Sequence, residues 1–176
     1  MIITEQLQID AIIFDCEGVI IDTESIWDKG QEEFLRRRGY LYDRSRIKPL
    51  LTGTSMQDGV RILQQEYGFS GDVMTQAEER IAIVRTMFAT EVELIPGFLE
   101  FFERIHSLFR TCIATAMPLE LLELVDSRLH LRNFFENRIF TLADVDFRAK
   151  PNPDLFLFAA DKLKVGKRPA LPILSN

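Results

Sequence analysis

The chain has few of the residues that cross-link small extracellular proteins or bind transition metals. It contains two cysteines and two histidines in 176 residues. Cys16 and Cys112 lie within or at the ends of apolar runs, and two cysteines do not form a disulfide framework, so reduced thiols are predicted. His106 and His130 have no partner at metal-ligand spacing, which favours structural roles for both.

Long apolar runs and an excess of basic residues are also absent. No apolar run approaches the length of a membrane span, and the N-terminus lacks the basic-then-apolar pattern of a signal peptide. These absences predict a soluble, cytoplasmic protein. The net charge of −6 and the pI of about 5.0 disfavour nucleic acid and anionic lipid as partners. Any phosphate site must therefore be built locally, from a metal, a lysine and backbone N–H groups.

The composition is otherwise that of an ordinary globular protein, with 47% hydrophobic and 27% charged residues. Short apolar runs typical of strands buried on both faces alternate with helical stretches. The predicted strands are residues 11–14, 111–115, 138–142 and 170–174. Helices are predicted after Pro96-Gly97, from Pro118 to about Asp126, and from Asn152-Pro153 to about Val165. This alternation predicts an α/β fold with a parallel sheet and right-handed crossovers.

Helical periodicity alone is present between the first two strands. Helices are predicted at about 24–39, 55–67 and 72–90, and Arg36-Arg37-Arg38 is interpreted as a solvated helix end. The helix after Gly97 carries an apolar stripe that we expect to pack on the sheet: Phe98, Phe101, Phe102, Ile105, Leu108 and Phe109. In the last helix, Asn152 is predicted to be the N-cap, with Pro153 at the first helical position.

Three polar residues are placed where a parallel sheet normally has its site, at the carboxyl ends of the strands. Asp15 and Thr115 each end a predicted strand, and Lys150 lies in the loop after the third strand. Taken singly, an aspartate after a strand is usually a turn or cap residue, and a Lys-Pro pair is usually just a loop. Their arrangement in one pattern favours a functional site.

That pattern resembles the haloacid dehalogenase superfamily. The segment 12–24 is similar to its first motif, a hydrophobic strand followed by an aspartate, a second acidic residue, glycine and valine, and then Asp-Thr-Glu. Thr115 matches the hydroxyl residue of the second motif, and 150–154 matches the Lys-Pro-x-Pro-acid pattern of the third. The helical stretch resembles the cap domain, and 53–60 resembles the substrate loop of the cap in the β-phosphoglucomutase-like branch. The resemblance covers nearly the whole chain.

The resemblance implies a Rossmann-like parallel-sheet core formed by residues 1–21 and 93–176, with a helical cap domain inserted at 22–92. It implies a phosphatase or phosphomutase acting on a small phosphorylated metabolite, such as a sugar phosphate, through an aspartyl-phosphate intermediate. Asp15 would be the nucleophile and Glu17 the acid–base residue. Thr115 and Lys150 would contact the phosphoryl group. Hydrolysis and phosphoryl transfer between sugar positions both remain open.

Elementary chemistry supports the roles that the resemblance implies. A carboxylate that attacks a phosphate ester meets an anion, so Mg²⁺, a lysine and backbone N–H groups are needed to neutralise charge. Mg²⁺ would be held by Asp15 and by the backbone carbonyl of Glu17. Substrate would contact Ala116, through its N–H group, and the cap loop at Gly53, Thr54 and Ser55. Gly53 and Ser55 are equally well explained as the entry to a helix.

Two departures from the family pattern affect the expected activity. Glu17 stands where the family usually has aspartate, and the extra methylene displaces the acid–base group; a misplacement of about 1 Å can cost about a hundredfold in rate. The acidic pair of the fourth motif is absent from the printed chain. We therefore expect a core truncated at its C-terminus, weak Mg²⁺ binding and weak turnover, and an open sheet edge prone to self-association. A catalytically impaired protein that binds metabolites or partners is the alternative to an enzyme.

Overall fold

The computed structural model describes residues 9–52, 54–146, 152–164 and 170–174. The chain divides into two compact units. An α/β unit combines Met1–Asp22 with Glu93–Asn176, and a helical unit comprises Thr23–Val92. The strands are β1 (Ala11–Phe14), β2 (Arg110–Thr115), β3 (Ile139–Thr141) and β4 (Ala170–Ile173). The helices are α1 (Glu24–Arg36), α2 (Arg44–Leu51), α3 (Met56–Tyr67), α4 (Val73–Thr90), α5 (Phe98–Ile105), α6 (Leu119–Leu129), α7 (Leu131–Phe134) and α8 (Asp154–Lys162).

The α/β unit contains a parallel sheet, which confirms the predicted fold class. Its four described strands have the order β3-β2-β1-β4, and every pairing between them is parallel. All four predicted strands are present, with β3 shorter than predicted because a 3₁₀ helix begins at Leu142. β4 pairs only with β1 within the described sheet, so Pro172, which cannot donate a hydrogen bond, occupies an edge strand where it is tolerated.

Each face of the sheet is covered by helices. On one face, Ala11 and Ile13 of β1 and Cys112 of β2 form a buried cluster with Leu155 and Ala159 of α8. This arrangement follows from strand geometry, because alternate side chains of a strand point to the same face. Cys112 and Cys16 are both buried free thiols, as predicted.

Aromatic residues cover the other face around Phe14. The Phe14 ring lies 5.9 Å from that of Phe98, 5.7 Å from Phe135 and 6.4 Å from Phe102, mostly in edge-to-face geometry. The prediction that the whole stripe after Gly97 packs on the sheet is wrong at its far end. Helix α5 stops at Ile105, and Leu108, which lies beyond it, is 71% exposed.

The helical unit contains helices and no strand among its described residues. Ser55 and Asp72 cap α3 and α4, accepting hydrogen bonds from the Asp58 and Thr75 N–H groups at 3.1 and 2.8 Å. Its core includes a set of fully buried side chains from α1, α2 and α3: Phe34, Leu35, Ile47, Val60 and Leu63. Within the described residues, no helix of the protein is long and apolar enough to cross a membrane.

Three details of the helices correct the sequence predictions. Helix α2 was not predicted, because its single buried residue, Ile47, sets up no apolar period and Pro49 lies inside it. Arg38 is not a solvated helix end. Its guanidinium lies 3.7 Å from the centre of the Phe34 ring and pairs with Glu79 of α4. The N-cap of α8 is Pro153 rather than Asn152.

Candidate active site

Asp15 and Thr115 lie at the same edge of the parallel sheet. In the register of β1 and β2, Phe14 is opposite Ile113, so Asp15 leaves β1 one residue beyond that pair while Thr115 ends β2. Neighbouring strands are about 4.8 Å apart, which makes these residues close neighbours at the carboxyl edge. This is the edge at which open α/β sheets bind their ligands.

Asp15 is held by one hydrogen bond to its side chain and one from its own backbone N–H group. It is 4% exposed, and its Oδ1 accepts a hydrogen bond of 2.8 Å from the Cys16 N–H group. Its own N–H donates to the Ile173 carbonyl of β4 at 2.9 Å. A short side chain fixed in this way keeps its oxygens near the backbone, as a positioned nucleophile or metal ligand requires.

A tight loop after Asp15 places Glu17. The Cys16 carbonyl accepts hydrogen bonds from the N–H groups of Ile20 and Ile21, at 2.9 and 3.1 Å. Gly18 has φ of 70°, a left-handed conformation that glycine adopts without strain, and its N–H donates to the Ile21 carbonyl at 3.0 Å. These bonds hold the backbone of Cys16 and Gly18, the residues on either side of Glu17. Glu17 is half-buried and lies two residues after Asp15.

Cys16 is not a second nucleophile, although it follows Asp15 directly. Burial raises the pKa of its thiol far above the ordinary range, and the negative charges of Glu17 and Asp15 raise this pKa further. The thiolate is the reactive form of cysteine, so Cys16 is inert at neutral pH. Its contribution to the site is the N–H group that binds Asp15.

Thr115 and Ala116 form the part of the site at the end of β2. The Thr115 side chain is fully buried, and its Oγ1 accepts a hydrogen bond from the Met117 N–H group at 3.1 Å. A hydroxyl that accepts one hydrogen bond still has its own hydrogen to donate. Ala116, in contrast, is exposed. The pair can therefore present one side-chain donor beside a backbone turn.

Two of the predicted site residues, Lys150 and Gly53, lie outside the described residues. The other two residues of the predicted cap loop are on the helical unit. Thr54 donates to the Leu51 carbonyl at 2.8 Å, and Ser55 exchanges hydrogen bonds with Asp58 as the N-cap of α3. The contacts of Ser55 are thus those of a residue at the start of a helix. Thr54 and Ser55 also line a cavity.

The described residues offer hard oxygen ligands at the end of β1 but no complete metal cage. Within them, no group of three or more His, Cys, Asp or Glu side chains is arranged to hold a metal ion. The Asp15 carboxylate and the Glu17 backbone carbonyl are oxygen ligands of the kind that Mg²⁺ prefers, and this ion commonly takes only one or two carboxylates, completing its shell with water and phosphate. The residues present thus fit part of a Mg²⁺ site.

The cavity on the helical unit has a volume of about 460 Å³, within the usual range for small-molecule sites. Its lining includes apolar and aromatic side chains together with charged ones: Trp27, Tyr42, Leu51 and Met56, and Glu24, Asp28, Lys48 and Arg80. Lys48 pairs with both Glu24 and Asp28. Sequence reasoning found only Thr54 and Ser55 here, because the other residues come from separate helices and form no motif.

The chain thus combines a parallel α/β unit, an aspartate held at the end of a strand, and a helical insertion. The model of the haloacid dehalogenase-like hydrolase family matches residues 9–171. The chain belongs to this family, which confirms the resemblance found in the sequence.

Curated relatives include several phosphatases. The chain is 25% identical over 159 residues to a 6-phosphogluconate phosphatase of Escherichia coli, covering 90% of this chain and 70% of the relative. It is 29% identical to (DL)-glycerol-3-phosphatase 2 of Arabidopsis thaliana, covering 88% of this chain and 65% of that relative. It is 28% identical to hexitol phosphatase B of Escherichia coli, covering 90% of this chain and 71% of that relative. The chain thus spans about two thirds of the length of these relatives.

Solved structures show the same fold. A haloacid dehalogenase family hydrolase from Deinococcus radiodurans, with bound phosphate and sodium, superposes with a TM-score of 0.74 at 27% identity, covering 91% of this chain and 69% of that one. A putative β-phosphoglucomutase from Thermotoga maritima superposes with a TM-score of 0.77 at 23% identity, covering 93% of this chain and 75% of that one.

Proposed function

We propose that the protein is a phosphatase that hydrolyses the phosphate ester of a small sugar or polyol through an aspartyl-phosphate on Asp15. The observation that carries this proposal is the buried Asp15 carboxylate, oriented by the Cys16 N–H group at the carboxyl edge of the sheet, next to the end of the strand that carries Thr115. The names of the relatives support it, since those reported above are phosphatases of small phosphorylated sugars or polyols.

In the first step, an Asp15 carboxylate oxygen attacks phosphorus and the ester oxygen leaves. The phosphoryl group passes to Asp15, and Glu17 donates the proton that the departing oxygen needs. The Thr115 hydroxyl and the Ala116 N–H group are proposed to hold phosphoryl oxygens during the transfer, since fixed donors stabilise the charge that builds up there.

In the second step, water attacks the phosphorus of the aspartyl-phosphate. Glu17, which is deprotonated after the first step, accepts the proton of this water and is thereby reset as an acid. The bond between phosphorus and the Asp15 oxygen breaks, releasing inorganic phosphate and the free carboxylate. One residue thus serves as acid and then base.

A bound Mg²⁺ would supply positive charge that offsets the negative charge of the reacting groups. The Asp15 side chain and the Glu17 backbone carbonyl are proposed to hold it. Lys150 is proposed to add a further positive charge next to the phosphoryl group. Binding without turnover and phosphoryl transfer within a sugar were the other interpretations of the sequence, and the names of the curated relatives favour hydrolysis over both.

The test is release of inorganic phosphate from an aryl phosphate with Mg²⁺, compared between the wild-type protein and Asp15→Asn. The amide cannot attack phosphorus, so turnover is expected to fall by at least about a thousandfold, with the fold retained. Asp161→Asn is the matched control, because Asp161 is exposed on α8. Equal loss of turnover in both variants, or retention of turnover in Asp15→Asn, would contradict the assignment.

A further inference from the structure

The helical unit contains a buried amide with an unused hydrogen-bond donor. Gln31 of α1 is 4% exposed, and its Nε2 has no hydrogen-bond partner, whereas its Oε1 accepts 2.8 Å from Arg80. A buried donor without an acceptor is costly, and native proteins rarely retain one without a reason. Gln31 is one of the residues that line the cavity described above, so this buried donor belongs to the cavity wall.

The neighbouring Arg80 carries a charge that no carboxylate balances. Its guanidinium donates to the Gln31 Oε1 at 2.8 Å and to the Met56 carbonyl at 3.3 Å, both of which are neutral acceptors. Within the described residues, no carboxylate forms an ion pair with Arg80. Burial of the guanidinium away from water lowers the pKa of Arg80 to about 10. A buried and unbalanced guanidinium favours an anionic ligand.

The fold makes room for Arg80 at the expense of helix propensity. Gly59 lies inside α3, where glycine is less favourable than alanine by about 1 kcal/mol. A Cβ atom at this position would lie 2.6 Å from Nη1 of Arg80. The absence of a side chain at Gly59 therefore allows the guanidinium to remain where it meets Gln31.

We infer that the cavity binds a carboxylate of the substrate, held by the Arg80 guanidinium and the Gln31 Nε2 group. This inference rests on the proposed function, because it names a carboxylate as part of the phosphorylated substrate. Arginine and a planar amide together suit the two oxygens of a carboxylate. Trp27 and Met56 supply apolar walls for the carbon chain.

The charges of the cavity favour a single negative charge over a phosphate dianion. Lys48 and Arg44 each pair with both Glu24 and Asp28, so the charges of these four side chains cancel. The positive charge of Arg80 is in excess of this group. A monoanion can balance Arg80 locally, whereas a dianion would leave one negative charge unbalanced. A neutral hydroxyl would fill the hydrogen bonds but leave the guanidinium charge unbalanced.

The first test measures binding without catalysis. Titration calorimetry with gluconate and with sorbitol compares a carboxylate with a neutral polyol of the same chain length. Gluconate is expected to bind at least about tenfold more tightly, and Arg80→Met to weaken gluconate binding by about ten- to a hundredfold while leaving sorbitol binding unchanged. Arg61→Met is the matched control, since Arg61 is an exposed arginine of α3 paired with Asp58. Equal binding of the two ligands overturns the inference.

A second variant keeps the inference testable if Arg80→Met does not fold. Gln31→Glu places a carboxylate 2.8 Å from Arg80 in nearly unchanged volume, so it supplies internally the charge that the ligand would bring. We expect this variant to fold and to lose gluconate binding. Retained gluconate binding in Gln31→Glu contradicts the site.

Kinetics separates this inference from the proposed function. In Gln31→Glu, kcat/KM for 6-phosphogluconate is expected to fall by about ten- to a hundredfold, with sorbitol 6-phosphate affected by less than about threefold. An equal fall for both substrates overturns the carboxylate assignment and leaves the phosphatase proposal intact. Absence of phosphate release from every ester overturns the phosphatase proposal. The gluconate titration then decides by itself whether the cavity binds a carboxylate.

Discussion

Among single residues, Glu17 is the one proposed to donate and accept protons during turnover. We predict that Glu17→Gln retains the fold but releases phosphate from an alkyl ester about a hundredfold more slowly, because the alcohol then leaves without a proton. An aryl phosphate, with its better leaving group, is expected to lose less in the first step. The measurement is kcat/KM for both esters in the wild-type and variant proteins, because this ratio reports the transfer to Asp15 and not the later hydrolysis that both esters share. Equal loss for the two esters would argue against proton donation by Glu17.

Glu17→Asp tests the extra methylene that separates this chain from the usual family pattern. Its carboxyl group is retained but shortened, within a loop held by backbone hydrogen bonds from Cys16 to Ile20 and Ile21. If the loop was shaped for glutamate, aspartate should lower kcat by about tenfold to a hundredfold, since small misplacements are costly in catalysis. A higher kcat in Glu17→Asp would show that glutamate is a poor substitute at this position.

At the scale of helices, close packing of α1 on α4 requires a glycine. A Cβ atom at Gly30 would lie 2.7 Å from Cγ2 of Val84. Gly30→Ala would gain about 1 kcal/mol of helix propensity, but overpacking in a core typically costs about 1–3 kcal/mol. We predict a net loss of about 1 kcal/mol in the free energy of unfolding, measured by urea titration.

The same contact gives a control for this prediction. Val84→Ala removes the Cγ2 atom that Gly30→Ala would meet. The double variant Gly30→Ala/Val84→Ala should therefore be more stable than the sum of the two single changes predicts, with a coupling of about 1 kcal/mol. Simple additivity would mean that α1 and α4 shift apart without strain.

Helices α1 and α2 are joined by charges, and this contact should depend on pH. Burial opposes ionisation of Asp28, but hydrogen bonds from Arg44 and Lys48 outweigh it and leave the pKa of Asp28 below its ordinary value of 3.8. A carboxyl group with a lowered pKa in the folded state stabilises the fold above its unfolded pKa and loses that effect as the pH falls through the folded pKa.

We therefore predict that part of the fall in Tm below pH 4 comes from Asp28. Asp28→Asn should be less stable than wild type at pH 6, with the difference narrowing as the pH falls through and below 3.8, when the wild-type carboxylate is protonated. Thermal melts between pH 6 and pH 2.5 measure this. Glu78→Gln, at an exposed position of α4, is the control. A gap that stays constant with pH would contradict the role of Asp28.

The sequence predicts a helix or strand when a local residue pattern marks it. The buried runs of β1 and β2 and the amphipathic repeats of α3 and α4 are local signals, and they were predicted within a residue or two. Helix α2 has a single buried residue and lacked such a signal. Arg38 was misread because its partners, Phe34 and Glu79, meet only when α1 packs on α4.

At the scale of the whole molecule, the helical unit is inserted without disturbing the sheet. The chain leaves the α/β unit after Asp22 and returns at Glu93, and the Asp22 N–H group donates to the Glu93 carbonyl at 3.1 Å. The Ile95 N–H group donates to the Ile20 carbonyl at 2.9 Å. Because the two ends of the insertion are bonded side by side, Thr23–Val92 leaves the chain of the α/β unit and returns to it at one place.

Motifs in the sequence indicate candidate site residues only where those residues follow strands. Asp15 and Thr115 are strand-end residues, and the parallel register of β1 and β2 brings them to one edge as their positions in the sequence indicated. Gln31 and Arg80 could not be found in this way. They lie 49 residues apart on different helices. Only the packed structure shows that they are hydrogen-bonded and that the Gln31 Nε2 donor is buried without a partner.

Asp15 is proposed to carry the phosphoryl group during turnover. The direct test is to quench the protein in acid during turnover of an alkyl phosphate with Mg²⁺, reduce with borohydride, and map the peptides by mass spectrometry. An aspartyl-phosphate is reduced to homoserine, so the account predicts homoserine at position 15 in the wild-type protein. Phosphate release without modification of Asp15, or with homoserine at another aspartate, would contradict the account.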